Sequence, residues 1–284
     1  MDNAGLARKG VSEVVVTVIM FSTILGTLVA ALFFAQLNLS AQSTAVEFEN
    51  GKAGMVSLAQ TINGLSLAEG SAAYVRVSSV SQGVFLTEGE ESLEIVVDDG
   101  QRSIPWDMGR INLVKLKGAI GASSSSFMVL EGDRSIRDKR ELLGDLIINP
   151  ERPGSLGVVY QEWNYGPWVI VDFGRVRVVP SGAVPHTENG LDWYNISTVQ
   201  ITYFKILRGS SSGSETLDIC VRVKRIKTYT PEFFSSNFVR ITVNRGPESN
   251  PSLYSKSYTV RSDARNLRGM LVYLTVVEVE VSVR

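Results

Sequence analysis

The chain has 284 residues, 44% of them hydrophobic, which is enough apolar material for one large folded domain or two ordinary ones. Its 28 basic and 29 acidic residues nearly cancel and neither sign gathers into a long block, so the electrostatic footprint of a nucleic-acid-binding protein is missing. The single cysteine, Cys220, excludes an intramolecular disulfide, so packing must hold the fold together.

A long apolar run follows two basic residues near the N-terminus. No charged residue occurs between Glu13 and Glu47, and the mostly apolar run 14–36 is long enough, at ~1.5 Å per residue, to cross a ~30 Å hydrocarbon layer. Arg8 and Lys9 precede the run, so the positive-inside tendency keeps the N-terminus in the cytoplasm and exports the rest. The run therefore predicts a membrane helix with an exported body.

A secretory leader is the weaker interpretation of this run. Leaders have an apolar region of roughly 7–15 residues, followed by a small-x-small cleavage site. Here the apolar region is longer, and the best small-x-small triplet, residues 43–45, lies well beyond its end.

The helical pattern continues past the membrane-length run. Apolar residues spaced by three and four form a stripe, with Lys52 at the one skipped step: Ala41, Ala45, Phe48, Met55, Ala59 and Ile62. We therefore predict one helix over about 11–62, and we expect its stripe to pack against like helices.

Three small residues, Ser22, Gly26 and Ala30, recur at every fourth position of the apolar run. They form one ridge on which another helix can approach closely. Small residues are also simply common in membrane helices, so the ridge alone does not decide between assembly and anchoring. The extension of the helix past the membrane favours helix partners.

The residues around this junction carry a family resemblance. Arg8-Lys9-Gly10, followed by Val11-Ser12-Glu13 and the apolar helix, resembles the class III signal peptide of archaeal type IV pilin-like proteins. The resemblance implies that a prepilin peptidase cleaves between Gly10 and Val11 and leaves the apolar helix on the mature protein. It covers roughly the first fifty to sixty residues of the chain.

The resemblance also gives Glu13 a candidate role. In type IV pilins an acidic residue near the mature N-terminus pairs with the freed α-amino group of a neighbouring subunit, and bacterial pilins usually carry this glutamate at the fifth position. Glu13 would be third. A buried carboxylate needs a cation, whereas an interfacial one needs only headgroup water. Both alternatives stay open for Glu13.

Beyond residue 65 the helical period gives way to short alternating runs. We predict strands at 73–80, 93–97, 111–117, 127–130, 168–179, 196–207, 216–227, 238–243 and 270–283. We favour one elaborated sandwich over two. The predicted fold class is α+β: a signal peptide (1–10), a long N-terminal hydrophobic α-helix (11–65) and an all-β, sandwich-like globular domain (66–284).

Two of these runs make local predictions. The last run places one set of residues on a single face, which we expect to be buried: Tyr273, Thr275, Val277, Val279, Val281 and Val283. Its polar face carries Glu278, Glu280, Ser282 and Arg284. In the run 168–179 the apolar phase changes across Gly174, which predicts a bulge at that glycine.

The sequence offers little for catalysis. His186 is the only histidine, so a multi-histidine metal site is excluded, and we place it in a loop where it is solvated. Cys220 falls on the polar face of a predicted strand and is interpreted as a structural thiol. The chain has neither a phosphate-binding glycine loop nor a G-x-S-x-G elbow. We therefore expect no enzymatic activity, catalytic residue, cofactor or metal site.

Other polar features are weaker signals. The densest acidic region, Glu88, Glu90, Glu91, Asp98 and Asp99, lacks the spacing of an EF-hand loop, so a solvated rim is favoured over a Ca²⁺ site. Two sequons begin at Asn38 and Asn195 and are possible N-glycosylation acceptors. Asn195 is the better acceptor, because Asn38 lies close to the membrane helix.

Taken with the resemblance, these features predict a structural subunit of an archaeal type IV pilus-like extracellular filament. It would enter the membrane first, be cut by a prepilin peptidase, and polymerise with copies of itself through its N-terminal helix with the help of the pilus assembly machinery. The filament would serve in surface adhesion. The alternative is a membrane-anchored cell-surface protein that never polymerises, such as a minor pilin, an archaellum stator-like component or a ligand-binding protein.

Overall fold

The computed structural model describes residues 4–77, 83–120, 126–188, 192–211 and 217–283. Contacts divide the chain into two compact units, Met1–Val46 and Glu47–Arg284. Helix α1, Ala4–Gly64, forms the first unit and supplies the opening residues of the second. It contains no proline and its last residue is a glycine, both of which suit a long helix with a defined end. The predicted long helix is confirmed.

The rest of the second unit is mostly β-structure. Its elements are β1 Ala72–Val77, β2 Val84–Asp98, β3 Ser103–Lys117, β4 Phe127–Glu131, α2 Lys139–Gly144, β5 Ile147–Ile148, β6 Val158–Trp163, β7 Pro167–Asp172, β8 Val176–Glu188, β9 Asp192–Ser211, β10 Leu217–Tyr229, β11 Glu232–Phe234, β12 Phe238–Pro247, β13 Tyr254–Arg261 and β14 Leu267–Val283. Every predicted run overlaps at least one strand, and residues 78–80 and 216 of the predicted runs lie outside the described part of the chain. Strands β5, β6, β11 and β13 were not predicted.

The strands form two seven-stranded sheets. The first sheet has the order β1-β10-β14-β9-β8-β5, with β11 also paired to β14. The second sheet has the order β13-β12-β2-β3-β7-β6-β4. Pairing is antiparallel except for β14 with β9 and β5 with β8. A long helix followed by a β-rich unit confirms the α+β class.

The run 168–179 is two strands rather than one bulged strand. β7 ends at Asp172 in the second sheet, and β8 begins at Val176 in the first. Gly174 lies in the corner between them, where an added Cβ would come within 2.5 Å of an Arg245 nitrogen. The predicted bulge is therefore wrong, because the change of phase marks a crossing between sheets.

Along the central strands of the first sheet, burial changes from one face of the sheet to the opposite face. From Met270 onward, the buried residues of β14 are even-numbered up to Val276 and odd-numbered from Val277. Tyr203 and Phe204 of β9 are paired with these two valines and are buried as well. Successive side chains point to opposite faces of a sheet. The first sheet therefore faces two hydrophobic cores, and the prediction that Tyr273 and Thr275 share the buried face was wrong, since both are partly exposed.

The two cores have different partners. In the sheet core, first-sheet residues such as Val272 pack with second-sheet residues such as Ile95. In the helix core, Val279 packs with second-sheet residues such as Leu116 and with the helix foot, our name for residues 47–64 of α1. The second sheet contributes to both cores. The predicted sandwich is not confirmed, because one sheet is curled into a half-barrel.

The helix foot is packed closely between strands. An added Cβ at Gly54 would lie 2.9 Å from Val77 Cγ2, so the glycine lets α1 approach β1. The Phe48 ring lies against Gly118, the residue after β3, and is 2% exposed. Lys52 is 6% exposed, and its Nζ lies 2.6 Å from Glu49 Oε1.

This packing corrects the predicted partner of the helical stripe. Its members from Phe48 onward, including Met55, Ala59 and Ile62, are at most 2% exposed inside the protein's own β-rich unit. They are therefore not available to like helices. Only the part of α1 before the foot retains an open apolar surface.

Candidate functional site

The apolar part of α1 exposes its side chains all around the helix. From Val14 to Leu39 the large hydrophobic residues are 49% to 67% exposed. Among the described residues, α1 is the one helix long and apolar enough to cross a membrane, and none of its apolar window is buried. Burying a side chain of this kind is worth ~1.5–3 kcal/mol, so leaving the whole surface in water would cost on the order of tens of kcal/mol. The surface requires a covering of lipid or protein.

The hydroxyl groups in this segment are satisfied by the helix itself. Ser22 Oγ donates to Val18 O, Thr23 Oγ1 donates to Ile19 O, and Thr27 Oγ1 donates to Ile24 O, each at 2.8 Å. Side-chain hydroxyls that bond to the preceding helical turn need no water. The segment can therefore enter an apolar environment without stranding these donors.

The small-residue ridge lies within this exposed surface. Ser22, Gly26 and Ala30 are all exposed in α1. A Cβ added to Gly26 would meet no described atom within 4 Å, so a larger residue there is tolerated within one chain. Any steric effect of substitution at Gly26 must therefore arise against another molecule.

The processing residues fall at the start of α1. The backbone of Arg8, Lys9, Gly10, Val11 and Glu13 belongs to the helix, but their side chains lie outside the described part of the structure. The cleavage site and the pairing of Glu13 stay predictions.

The residues considered for catalysis are not brought together. His186 lies in β8 rather than in a loop, and its ring stacks on Tyr194 of β9 with centroids 5.9 Å apart. Cys220 is partly exposed in β10, while Ile219 and Val221 on the opposite face are fully buried. The described geometry thus gives His186 an aromatic partner and Cys220 a place on the outer face of a strand.

The predicted acidic rim has two kinds of carboxylate. Asp98 and Asp99 cap a turn, since their Oδ1 atoms accept hydrogen bonds from the backbone of Gly100 and Arg102. Glu91 instead accepts a hydrogen bond from the buried Arg245. In the described part of the chain no three His, Cys, Asp or Glu side chains group closely enough to hold a metal ion.

The two sequons differ in their surroundings. Asn38 is exposed on α1. Asn195 lies in β9, and its side-chain amide donates to Arg265 O at 2.6 Å, so a glycan at this nitrogen would have to replace that hydrogen bond. Glycosylation stays a prediction at both positions.

A buried ion-pair network links β2, β7 and β12 of the second sheet, and the sequence did not predict it. Asp172 is fully buried and accepts from Arg245 Nη2 at 2.7 Å, and Arg245 Nε donates to Glu91 Oε2 at 2.6 Å. Burial lowers the pKa of Arg245, but Asp172 and Glu91 outweigh burial and hold it above its usual value. One sequence signal could have indicated this network: Asp172 is a single charged residue at the end of an otherwise apolar strand.

Comparison with known proteins does not place the chain in a family. No protein-family model matches it, and neither a curated protein nor a solved structure matches it at a significant level.

Proposed function

We propose that this chain is a structural subunit of an archaeal type IV pilus-like extracellular filament that serves in surface adhesion. The exposed apolar surface of α1 from Val14 to Leu39 carries the proposal, because it requires a covering that the chain itself does not supply. Lipid covers it before assembly, and the helices of other subunits cover it in the filament. The β-rich unit is then displayed outside.

The proposed route begins at the N-terminus. A prepilin peptidase removes residues 1–10, and the assembly machinery transfers the helix from the membrane to the filament. Glu13 then pairs with the new N-terminus at Val11 of a neighbouring copy. The hydroxyl groups of Ser22, Thr23 and Thr27 donate to carbonyl groups of the same helix, which supports this transfer. Neither the lipid nor the filament core then has to supply water to them.

The competing function is a membrane-anchored cell-surface protein that does not polymerise. It is favoured by the same observation, because a helix of this length and composition anchors a protein without any partner helix. The two functions differ in what they require of the Ser22–Gly26–Ala30 ridge. An anchor surrounded by lipid tolerates bulk at the ridge, whereas a helix bundle does not.

Gly26→Leu is therefore expected to abolish or strongly reduce fibre formation while membrane insertion stays at the wild-type level. The added side chain has open space within one chain but blocks close approach of a second helix. The measurement compares the protein in sheared extracellular fibres with that in the membrane fraction. Ala35→Leu adds similar bulk on the opposite side of the helix, where Ala35 is also exposed, and should leave fibres intact. Normal fibres in Gly26→Leu would show that assembly does not use the small-residue ridge, whereas absence of the wild-type chain from fibres would favour the anchored protein.

A further inference from the structure

A large cleft lies beside α2 on the β-rich unit. Its volume is about 790 Å³, and we call it the α2 cleft. Its walls come from the segment after β4, from α2, from the turn after β5, from the sheet crossing and from β13. This volume falls within the roughly 300–1,000 Å³ range of small-molecule sites.

Local hydrogen bonds shape the walls of the α2 cleft. Asp133 Oδ1 accepts from the backbone nitrogen of Ser135 at 2.9 Å, and Asp138 caps α2 by accepting from Arg140 N at 3.0 Å. On the far wall, Asn149 Oδ1 accepts from Arg152 N at 2.8 Å. Because each wall is held by its own turn, the cleft does not need a ligand to form.

The wall of the cleft contains a buried arginine with incomplete pairing. Arg175 is 3% exposed, and its Nη2 contacts Asp145 Oδ2 at 3.1 Å and Leu142 O at 3.3 Å. Its Nε has no hydrogen-bond partner among the described residues. Burial lowers the pKa of Arg175 despite the nearby carboxylates of Asp145 and Asp172. A buried guanidinium with an unused donor favours an anionic ligand.

Groups of both signs surround this arginine. Arg152 and Lys256 line the cleft as further cations, and four carboxylates line it as well: Glu131, Asp133, Glu141 and Asp145. Asp133 already accepts from Ser135, and Asp145 is already paired with Arg175. In the described chain these carboxylates do not form a group of three or more metal ligands. None of the described lining residues is aromatic, so polar contacts rather than ring stacking must select the ligand.

We propose that the α2 cleft binds an acidic saccharide. The ligand carboxylate is held by Arg175, Arg152 and Lys256, and the sugar hydroxyls donate to Glu131 and Glu141. A free amino acid also carries a carboxylate, but the cleft is several times larger than one amino acid needs, whereas it accommodates a short chain of sugars. The site goes beyond the proposed function and does not depend on filament assembly.

A neighbouring cleft shows why the pairing of the arginine matters. It has a volume of about 320 Å³ and is lined by Glu91, Tyr160 and Arg245. There Arg245 already has a carboxylate on Nε and another on Nη2. That cleft therefore lacks the unused buried donor that distinguishes the α2 cleft.

Calorimetric titration of the full-length chain in detergent with trigalacturonate tests the proposal. We expect saturable binding, with an affinity that falls about tenfold or more in Arg152→Gln and in Lys256→Gln, because each removes a charge-assisted hydrogen bond. Both side chains are at least partly exposed, so these variants keep the fold. Arg175→Lys keeps the positive charge but loses the planar guanidinium with its several donors, so this variant should also bind trigalacturonate more weakly.

The controls separate this site from general attraction to anions. Arg240→Gln removes an exposed arginine of β12 that does not line the cleft, and its affinity should equal that of the wild type. Maltotriose and glutamate should bind much more weakly than trigalacturonate. The proposal is overturned by lack of saturable binding, by equal binding of either control ligand, or by unchanged affinity in Arg152→Gln and Lys256→Gln.

Discussion

Asp172→Ala is expected to lower the free energy of unfolding of the β-rich unit by about 3–5 kcal/mol. Asp172 has no exposed surface and receives hydrogen bonds from Arg245 Nη2 and from Gly174 N. Its removal leaves the guanidinium of Arg245, itself 3% exposed, with Glu91 as its remaining carboxylate. The buried guanidinium loses a partner and cannot be hydrated in its place, so the loss of stability is large. Urea unfolding of the full-length chain in detergent, followed by tryptophan fluorescence, measures it.

The matched control removes an aspartate from an exposed ion pair. Asp218 Oδ1 lies 2.9 Å from Arg76 Nε, and the side chains of Asp218 and Arg76 are 43% and 75% exposed. Water screens exposed ion pairs, so Asp218→Ala should change the free energy of unfolding little. If the two variants lost the same stability, burial would not be the reason that the Asp172 network matters.

Phe48→Ala should cost about 3–5 kcal/mol of stability in the same unfolding experiment. Phe48 is 2% exposed in the helix foot, and its ring fills the space above Gly118. The truncated side chain leaves a cavity between α1 and the end of β3, which the rigid strands cannot close.

Phe34→Ala is the corresponding control within the same helix. Phe34 is 64% exposed, so the truncation should leave the stability of the β-rich unit unchanged. An equal loss in both variants, or no loss in Phe48→Ala, would contradict the assignment of the helix foot to the core of that unit.

Sequence patterns predicted the helix well but not the partner of each of its parts. The period of three and four residues indicates that Phe48 and Ile62 share a face, whatever that face packs against. The same signal fits a neighbouring helix and a sheet of the same chain, because both bury an apolar stripe. Only the fold shows that the foot is buried in its own unit, which leaves the surface before it for lipid or other subunits.

The strands show a similar division. Apolar alternation located β9, β10 and β14, but it did not locate β13. The residues of β13 are mostly polar and, apart from the buried Val260, alternate between exposed and half-buried positions. The change of face at Val276 depends on two cores meeting one sheet, and no local pattern encodes that arrangement.

Polar sites were the least predictable feature. Asp172 and Arg245 are 73 residues apart in the chain, and Arg175 gains its incomplete pairing from α2 and the sheet crossing. Apart from the apolar strand that precedes Asp172, the residues next to each of these charged side chains in the sequence do not indicate that it is buried or paired. Their significance comes from long-range packing that removes them from water.

The N-terminal residue of the protein in sheared extracellular fibres tests the central claim most directly. Fibres are sheared from cells, separated from membranes, and examined by N-terminal sequencing and intact mass. Processing between Gly10 and Val11, followed by polymerisation through α1, predicts that the chain is abundant in the fibres and begins at Val11. A chain that begins at Met1, or one that begins at Val11 but stays in the membranes without fibres, would contradict the filament subunit.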